Sequence, residues 1–185
     1  GDGVLTLKTS GSTSPIYVNG GTLQLYNEPF ISAPGAVTSG SITINNGGEL
    51  TGIGCAYSIV VNKGGLLSAG YNGNVGTLKA NGNVILNAGG IIQVKIGPSS
   101  NDKFKMNGSI KHNNDTILIV VDEARTLKAG DVIEVFIGEG TQSGATDIFG
   151  HRYLAGTAKV LEAAVKAEFG CKVRSIELNL PQRCA

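Results

Sequence analysis

The sequence predicts an all-β chain wound into a parallel β-helix and closed by a small C-terminal helix-plus-strand cap. Three observations carry this. Four short apolar runs end in asparagine and a glycine pair: Val18-Asn19-Gly20-Gly21, Ile44-Asn45-Asn46-Gly47-Gly48, Val61-Asn62-Lys63-Gly64-Gly65 and Leu86-Asn87-Ala88-Gly89-Gly90. An apolar residue follows each within two positions, so the unit reads strand, corner, strand. The chain also carries 28 glycines and no tryptophan in 185 residues. Glycine loses much backbone entropy on folding, so a chain this rich in it needs positive-φ corners or close backbone packing. Finally, Val, Ile and Leu recur between the glycines in strand-like alternation, which a flexible low-complexity chain lacks.

The runs before the corners, Pro15 to Val18, Ser41 to Ile44, Ser58 to Val61 and Asn83 to Leu86, are short and rich in β-branched residues, as strands are. Those after the corners, Thr22 to Leu25, Glu49 to Ile53, Leu66 to Ser68 and Ile91 to Ile96, continue the alternation that turns every second side chain inward. The first glycines of the pairs, Gly20, Gly47, Gly64 and Gly89, are 27, 17 and 25 residues apart. A repeat of this size fits a solenoid, in which a coil buries its apolar face only against its neighbours. Asparagines at equivalent corners then stack into hydrogen-bonded ladders. Hairpins closed by the Asn-Gly turns are the competing local explanation.

Two loops are expected to project from the stack, Asn27 to Gly40 and Gly70 to Gly76. The first holds Pro29 and Pro34, which have no place in a central strand. Further strands are expected at Lys103 to Met106, Ser109 to Lys111, Thr116 to Val121 and Asp131 to Ile137, with turns at Asn107-Gly108 and Ala129-Gly130. The solenoid is therefore assigned to residues 1–138.

Composition narrows the function classes. Fifteen basic against fourteen acidic residues give a net charge of +1, too weak a field for a nucleic-acid partner or an anionic membrane. No apolar run approaches membrane-spanning length, so membrane insertion by this segment is not expected. Gly1-Asp2-Gly3 has neither a basic nor an apolar leader region, and the reading is of a chain that starts inside a larger protein. Cys55, Cys171 and Cys184 show no metal spacing. Cys171 and Cys184 are available to each other in an oxidising compartment, although a dense cysteine framework is lacking, and Cys55 reads as a small buried apolar residue.

Gly3-Val4-Leu5-Thr6-Leu7 with Ile16-Tyr17-Val18-Asn19-Gly20-Gly21-Thr22-Leu23-Gln24-Leu25 resembles the strand repeat of bacterial autotransporter passenger domains. Gly76 to Asn83, Ser100 to Phe104 and Leu127 to Asp131 resemble the final coils of such passengers. This resemblance implies a right-handed parallel β-helix, exported to the outer membrane, cell surface or extracellular space. There it would serve as a stalk or adhesive surface, non-catalytic, with surface glycans or proteins as partners.

Past Gly140 the composition changes. Val160, Leu161, Ala164 and Val165 lie at helical spacing between Gly156 and Phe169, Gly170 is a stop, and Cys171 to Leu178 reads as a strand. Residues 139–185 thus form an α/β segment. Ala145 to His151, Gly170 to Asn179 and Gln182 to Ala185 are similar to an internal stretch of bacterial phosphofructokinases. By that resemblance Arg174 and Arg183 bind sugar phosphate, as guanidinium forks suit. Where many members carry histidine this chain has Leu180, and neither the glycine-rich loop nor the aspartate pair that holds magnesium is found upstream. No kinase activity and no cofactor are therefore expected. The preferred role of the segment is to cap the solenoid's exposed edge.

A carbohydrate-active solenoid is the remaining alternative, for which Asp102, Asp115, Asp122, Glu123 and Asp131 are the available carboxylates. They lie mostly in expected turns, so solvated turn residues are the preferred reading and no catalytic or metal site is assigned. His112 and His151 lack a neighbouring nucleophile and read as surface residues. Tyr17, Tyr26, Tyr57 and Tyr71 are candidates for an aromatic carbohydrate platform, but their spacing is irregular and scattered, partly buried tyrosines are the preferred reading.

Overall fold

A computed structural model describes residues 3–8, 13–26, 40–113, 115–122, 124, 125, 135–138, 142, 143 and 152–156. The strands in chain order are β1 (Val4–Leu7), β2 (Ile16–Val18), β3 (Gly21–Leu25), β4 (Ile42–Ile44), β5 (Gly48–Gly52), β6 (Cys55–Ala56), β7 (Ile59–Val61), β8 (Leu66–Ser68) and β9 (Thr77–Ala80). They continue with β10 (Val84–Leu86), β11 (Ile91–Ile96), β12 (Lys103–Met106), β13 (Ile110–His112), β14 (Thr116–Val121), β15 (Phe136–Gly138), β16 (Gln142–Ser143) and β17 (Arg152–Gly156). There is no helix among the described residues.

These strands form three sheets. Sheet A runs β1-β3-β5-β8-β11-β14-β17, sheet B runs β16-β13-β10-β7-β4-β2, and sheet C runs β15-β12-β9-β6. All the ladders between them are parallel. One coil passes from a sheet B strand round the asparagine corner to sheet A, then to sheet C, and back to sheet B one rung higher. The chain is a parallel β-solenoid of about four turns.

The hairpin reading fails at each fully described corner, because the flanking strands enter different sheets. Turn geometry explains why. Gly48 N–H donates to Asn45 C=O at 2.9 Å, and Gly47 has φ +77° while Asn46 stays out of the positive-φ region. That is the pattern of a type II turn, whereas a type I′ hairpin needs positive φ at both central residues. The same bond joins Gly65 to Asn62 and Gly90 to Asn87, with Gly64 at φ +74° and Gly89 at +75°.

Stacking is locked at the corners by side chains. Asn45 Nδ2 donates to Asn19 Oδ1 at 2.7 Å, Asn62 to Asn45 at 2.8 Å, Asn87 to Asn62 at 2.9 Å and Asn113 to Asn87 at 3.2 Å. The expected asparagine ladder therefore exists, and it has a fifth member, Asn113.

Inside, the alternation builds continuous rows. On sheet B, Ile42, Ile59, Val84 and Ile110 stack in register, as do Val18, Ile44, Val61 and Leu86. On sheet A, Leu23, Leu50, Leu67, Ile92 and Ile117 form one row, and Leu78 and Phe104 with Ala56, Ala80 and Met106 close the core from sheet C. A void of only ≈ 10 Å³ remains among Ile59, Leu67, Leu78, Phe104 and Met106. This is at most the room for one water, so any ligand of this coil stack must be met on its outer surface.

Beyond residue 138, β16 extends sheet B and β17 extends sheet A. Gly156 ends β17. The rest of the helix expected to Phe169, and the strand expected from Cys171 to Leu178, lie outside the described residues, as does the loop expected at Asn27 to Gly40 except for Gly40.

Candidate ligand groove on the outer face of sheet A

The outward positions of sheet A carry polar side chains at successive rungs. The register aligns Val4, Thr22, Glu49, Leu66 and Ile91 in one row, and Thr6, Gln24 and Thr51 in the next, which Ser68 and Gln93 continue. They bond to one another across the strands. Thr22 Oγ1 donates to Glu49 Oε2 at 2.9 Å, Ser68 Oγ to Glu49 Oε1 at 3.3 Å, and Thr6 Oγ1 to Gln24 Oε1 at 3.2 Å. Thr51 and Ser68 are buried, so they form a floor rather than a rim.

A loop from Gly70 to Gly76 supplies the wall. Gly70 N–H donates to Gly52 C=O at 2.9 Å, Thr51 Oγ1 to Gly70 C=O at 3.1 Å, and Asn74 N–H to Tyr71 C=O at 3.0 Å. Tyr71 packs its ring 4.5 Å from that of Tyr26, and Lys8 Nζ lies 5.7 Å from the Tyr26 ring centre. Lys95 Nζ donates to the carbonyls of Gly73 and Asn74 at 3.5 and 3.2 Å. Asn72 is held at φ +49°, a left-handed conformation that asparagine tolerates better than most residues. Gly70, at φ +92°, is required outright, since a Cβ there would strike the Asn74 carbonyl.

Sheet floor and loop wall enclose a groove of ≈ 320 Å³ lined by Thr22, Gln24, Glu49, Thr51, Ser68, Asn72, Gln93 and Lys95, with Val4 and Leu66 as apolar edges. Its size is at the lower end of small-ligand sites, about 300–1,000 Å³.

The buried carboxylates are structural. Asp102 is fully buried, where its Oδ1 accepts from Gly76 N–H at 3.0 Å and its Oδ2 from Lys95 N–H at 2.9 Å. Burial pushes its pKa up to about 6, against the lowering pull of the Lys95 ammonium and of the two amide bonds. Asp115 is also buried. It occupies the corner position of Gly90, one residue before the Ile91–Thr116 pair, and His112 Nδ1 lies 3.0 and 3.1 Å from its two oxygens. His112 itself stands in the inward row of Leu86. The reading of Asp102, Asp115 and His112 as solvated surface residues is thus corrected: Asp102 accepts from two backbone amides, Asp115 pairs with the buried His112 ring, and His112 fills a core position. A step of 26 residues from Leu86 to His112, followed by Asn113, was the signal available.

Asp122 is exposed, and its Oδ1 accepts from Ala124 N–H at 2.8 Å. Cys55, expected as a small buried apolar residue, is half-buried. Burial raises its thiol pKa, with Lys79 and the Asn81 amide opposing. Tyr17 and Tyr57 are exposed apart from the Tyr26–Tyr71 pair. Glu123, Asp131, His151, Cys171, Cys184 and the two expected phosphate-binding arginines, Arg174 and Arg183, lie outside the described residues. Among the described residues no group of three His, Cys, Asp or Glu side chains could hold a metal ion.

At the first turn Val4, Leu5 and Tyr17 are exposed beside a cleft of ≈ 440 Å³, and β1 and β2 are the edges of sheets A and B. No family model, curated protein or solved structure matches the chain.

Proposed function

We propose that the chain is a non-catalytic, structural or adhesive β-solenoid segment of a secreted or cell-surface bacterial protein. Its role is to hold a rigid array of rungs and to present the loops between them to surface glycans or proteins. The surface role rests on the autotransporter resemblance, and the observation that supports a structural part over a catalytic one is the use made of the carboxylates. Asp102 and Asp115 are committed to hydrogen bonds in the interior, and both oxygens of Glu49 accept hydroxyls from its own sheet face. Acid/base hydrolysis of a glycan calls for two carboxyl groups facing each other across a cleft. The residues lining this groove include one.

Protease shaving of intact bacteria that express the full gene product, followed by adhesion of the same cells to host and microbial surfaces, tests the reading. Loss of both the exposed protein and adhesion on shaving is expected, and retention of the protein inside the cell overturns the surface role. The sugar-phosphate alternative rests on the phosphofructokinase resemblance at Arg174 and Arg183. Heat on titrating fructose phosphates into the full chain, abolished by Arg183→Ala, would favour that alternative.

A further inference from the structure

We propose that the groove on the outer face of sheet A is a binding subsite for an uncharged oligosaccharide laid across the rungs of β3, β5, β8 and β11. This rests on the adhesive reading and names the chemistry of its ligand.

Charge balance decides the ligand class. The lining holds one carboxylate and one ammonium, Glu49 and Lys95. The carboxylate accepts Thr22 and Ser68 hydroxyls, and the ammonium donates to the Gly73 and Asn74 carbonyls and stands 4.0 Å from Asp102. An anionic polymer would meet Glu49, and a cationic one Lys95. A neutral ligand rich in hydroxyls meets neither penalty.

The remaining lining matches such a ligand. Gln24, Asn72 and Gln93 carry amides with both donor and acceptor atoms, and a sugar hydroxyl is also donor and acceptor. Val4 and Leu66 give the apolar edge that the C–H face of a sugar ring covers. Strands lie about 4.8 Å apart, so a polymer laid across the rungs meets the polar row of Gln24, Thr51, Ser68 and Gln93 one residue per rung.

Preorganisation supplies a further reason. The loop that carries Asn72 is tied down at Gly70, Tyr71, Gly73, Asn74 and Gly76, the last by buried Asp102. A wall fixed before binding spares the ligand the cost of ordering it.

The test is calorimetric titration of the full chain with neutral hexasaccharides (maltohexaose, xylohexaose and acetylated chitohexaose) and with oligogalacturonate as the charged counter-probe. At least one neutral hexasaccharide is expected to bind with a Kd in the millimolar range or tighter. Gln93→Ala and Asn72→Ala should each weaken it by about fivefold to tenfold, the loss of one or two hydrogen bonds. Tyr17→Ala, on the outer face of sheet B, should leave it unchanged, and urea midpoints check that every variant is folded. Binding of oligogalacturonate alone, no binding of any neutral hexasaccharide at millimolar concentration, or unaltered binding in the Gln93→Ala/Asn72→Ala double variant overturns the proposal. Cells that adhere while the protein binds none of the neutral probes would refute the subsite and leave the adhesive reading standing. A protein that binds them but stays inside the cell would do the reverse.

Discussion

Asn62→Ala removes the middle rung of the asparagine ladder, and the structure sets its cost. Asn62 Nδ2 donates to Asn45 Oδ1 at 2.8 Å, and its Oδ1 accepts from Asn87 Nδ2 at 2.9 Å, both part-buried. A net hydrogen bond is worth about 0.5–1.5 kcal/mol, so losing two costs about 1–3 kcal/mol. The amide oxygen of Asn45 and the amide nitrogen of Asn87 also lose these partners, which places the expected value in the upper half of that range. Asn19→Ala is the internal comparison. It breaks one exposed bond at the end of the ladder, to Asn45, and should cost about 0.5–1 kcal/mol. Urea unfolding followed by circular dichroism measures both, with the slope compared to establish that only the midpoint moves. If Asn62→Ala costs no more than Asn19→Ala, or less than about 0.5 kcal/mol, the backbone turns alone hold the corners and the ladder reasoning is wrong.

Leu67→Ala empties a fully buried position in the central row of sheet A and should cost about 2–5 kcal/mol, read from the same urea curves. Gly48→Ala drives a Cβ into the Val18 carbonyl, whereas at Gly47, φ +77°, a Cβ meets nothing. Gly47→Ala should therefore cost only the left-handed penalty of about 1–2 kcal/mol, and Gly48→Ala more. Asp102 has a pKa raised from 3.8 to about 6 in the fold. Its contribution to stability is fully present below the unfolded value and is lost as pH rises through about 6, a change of about 3 kcal/mol. Subtracting the pH profile of Asp102→Asn from that of the native chain should reveal this fall between pH 4 and 7, and a flat difference would refute it.

Most of the stack was legible because its corners repeat a chemistry with one use. An Asn before a positive-φ glycine at the end of an apolar run fixes both the turn and the rung, and alternation assigns inward faces from β3 to β11. Pattern reading lost the fifth corner, where Asn113 is followed by Asn114 and Asp115 instead of a glycine pair, and the inward position is His112. A buried His–Asp pair has the composition of a solvated turn, and only register distinguishes them. The same holds for Asp102, whose carboxylate receives the amides of Gly76, 26 residues back, and of Lys95, seven residues back. The groove was hidden for another reason: Thr22, Gln24, Glu49, Thr51, Ser68 and Gln93 are ordinary outward strand residues until the coils stack. Strand β6 is two residues long, too short to carry any period.

The placement of the groove follows from which corner can vary. At the asparagine corner the ladder and the chain of bonds from Gly47 N–H to Gly64 C=O and from Gly64 N–H to Gly89 C=O hold neighbouring coils backbone to backbone. The corner from sheet C to sheet B is equally tight. Gly82 N–H donates to Tyr57 C=O, and a Cβ on Gly108 would press on the backbone of Gly82. Between sheet A and sheet C the fully described connections are residues 53–54, 69–76 and 97–102, which is two, eight and six residues. Going from two to eight residues is two doublings of loop length, an entropic cost of about 1.2 kcal/mol. An insertion at either tight corner instead breaks rung-to-rung bonds on both sides. The shortest coil, from Ile42 to Ile59, is 59 − 42 = 17 residues, and the next, from Ile59 to Val84, is 84 − 59 = 25. The connection that walls the groove accounts for 8 − 2 = 6 of those 25 − 17 = 8 added residues. A solenoid of this design therefore changes its outer surface beside sheet A at little cost to its core, which is where a recognition site is most easily acquired.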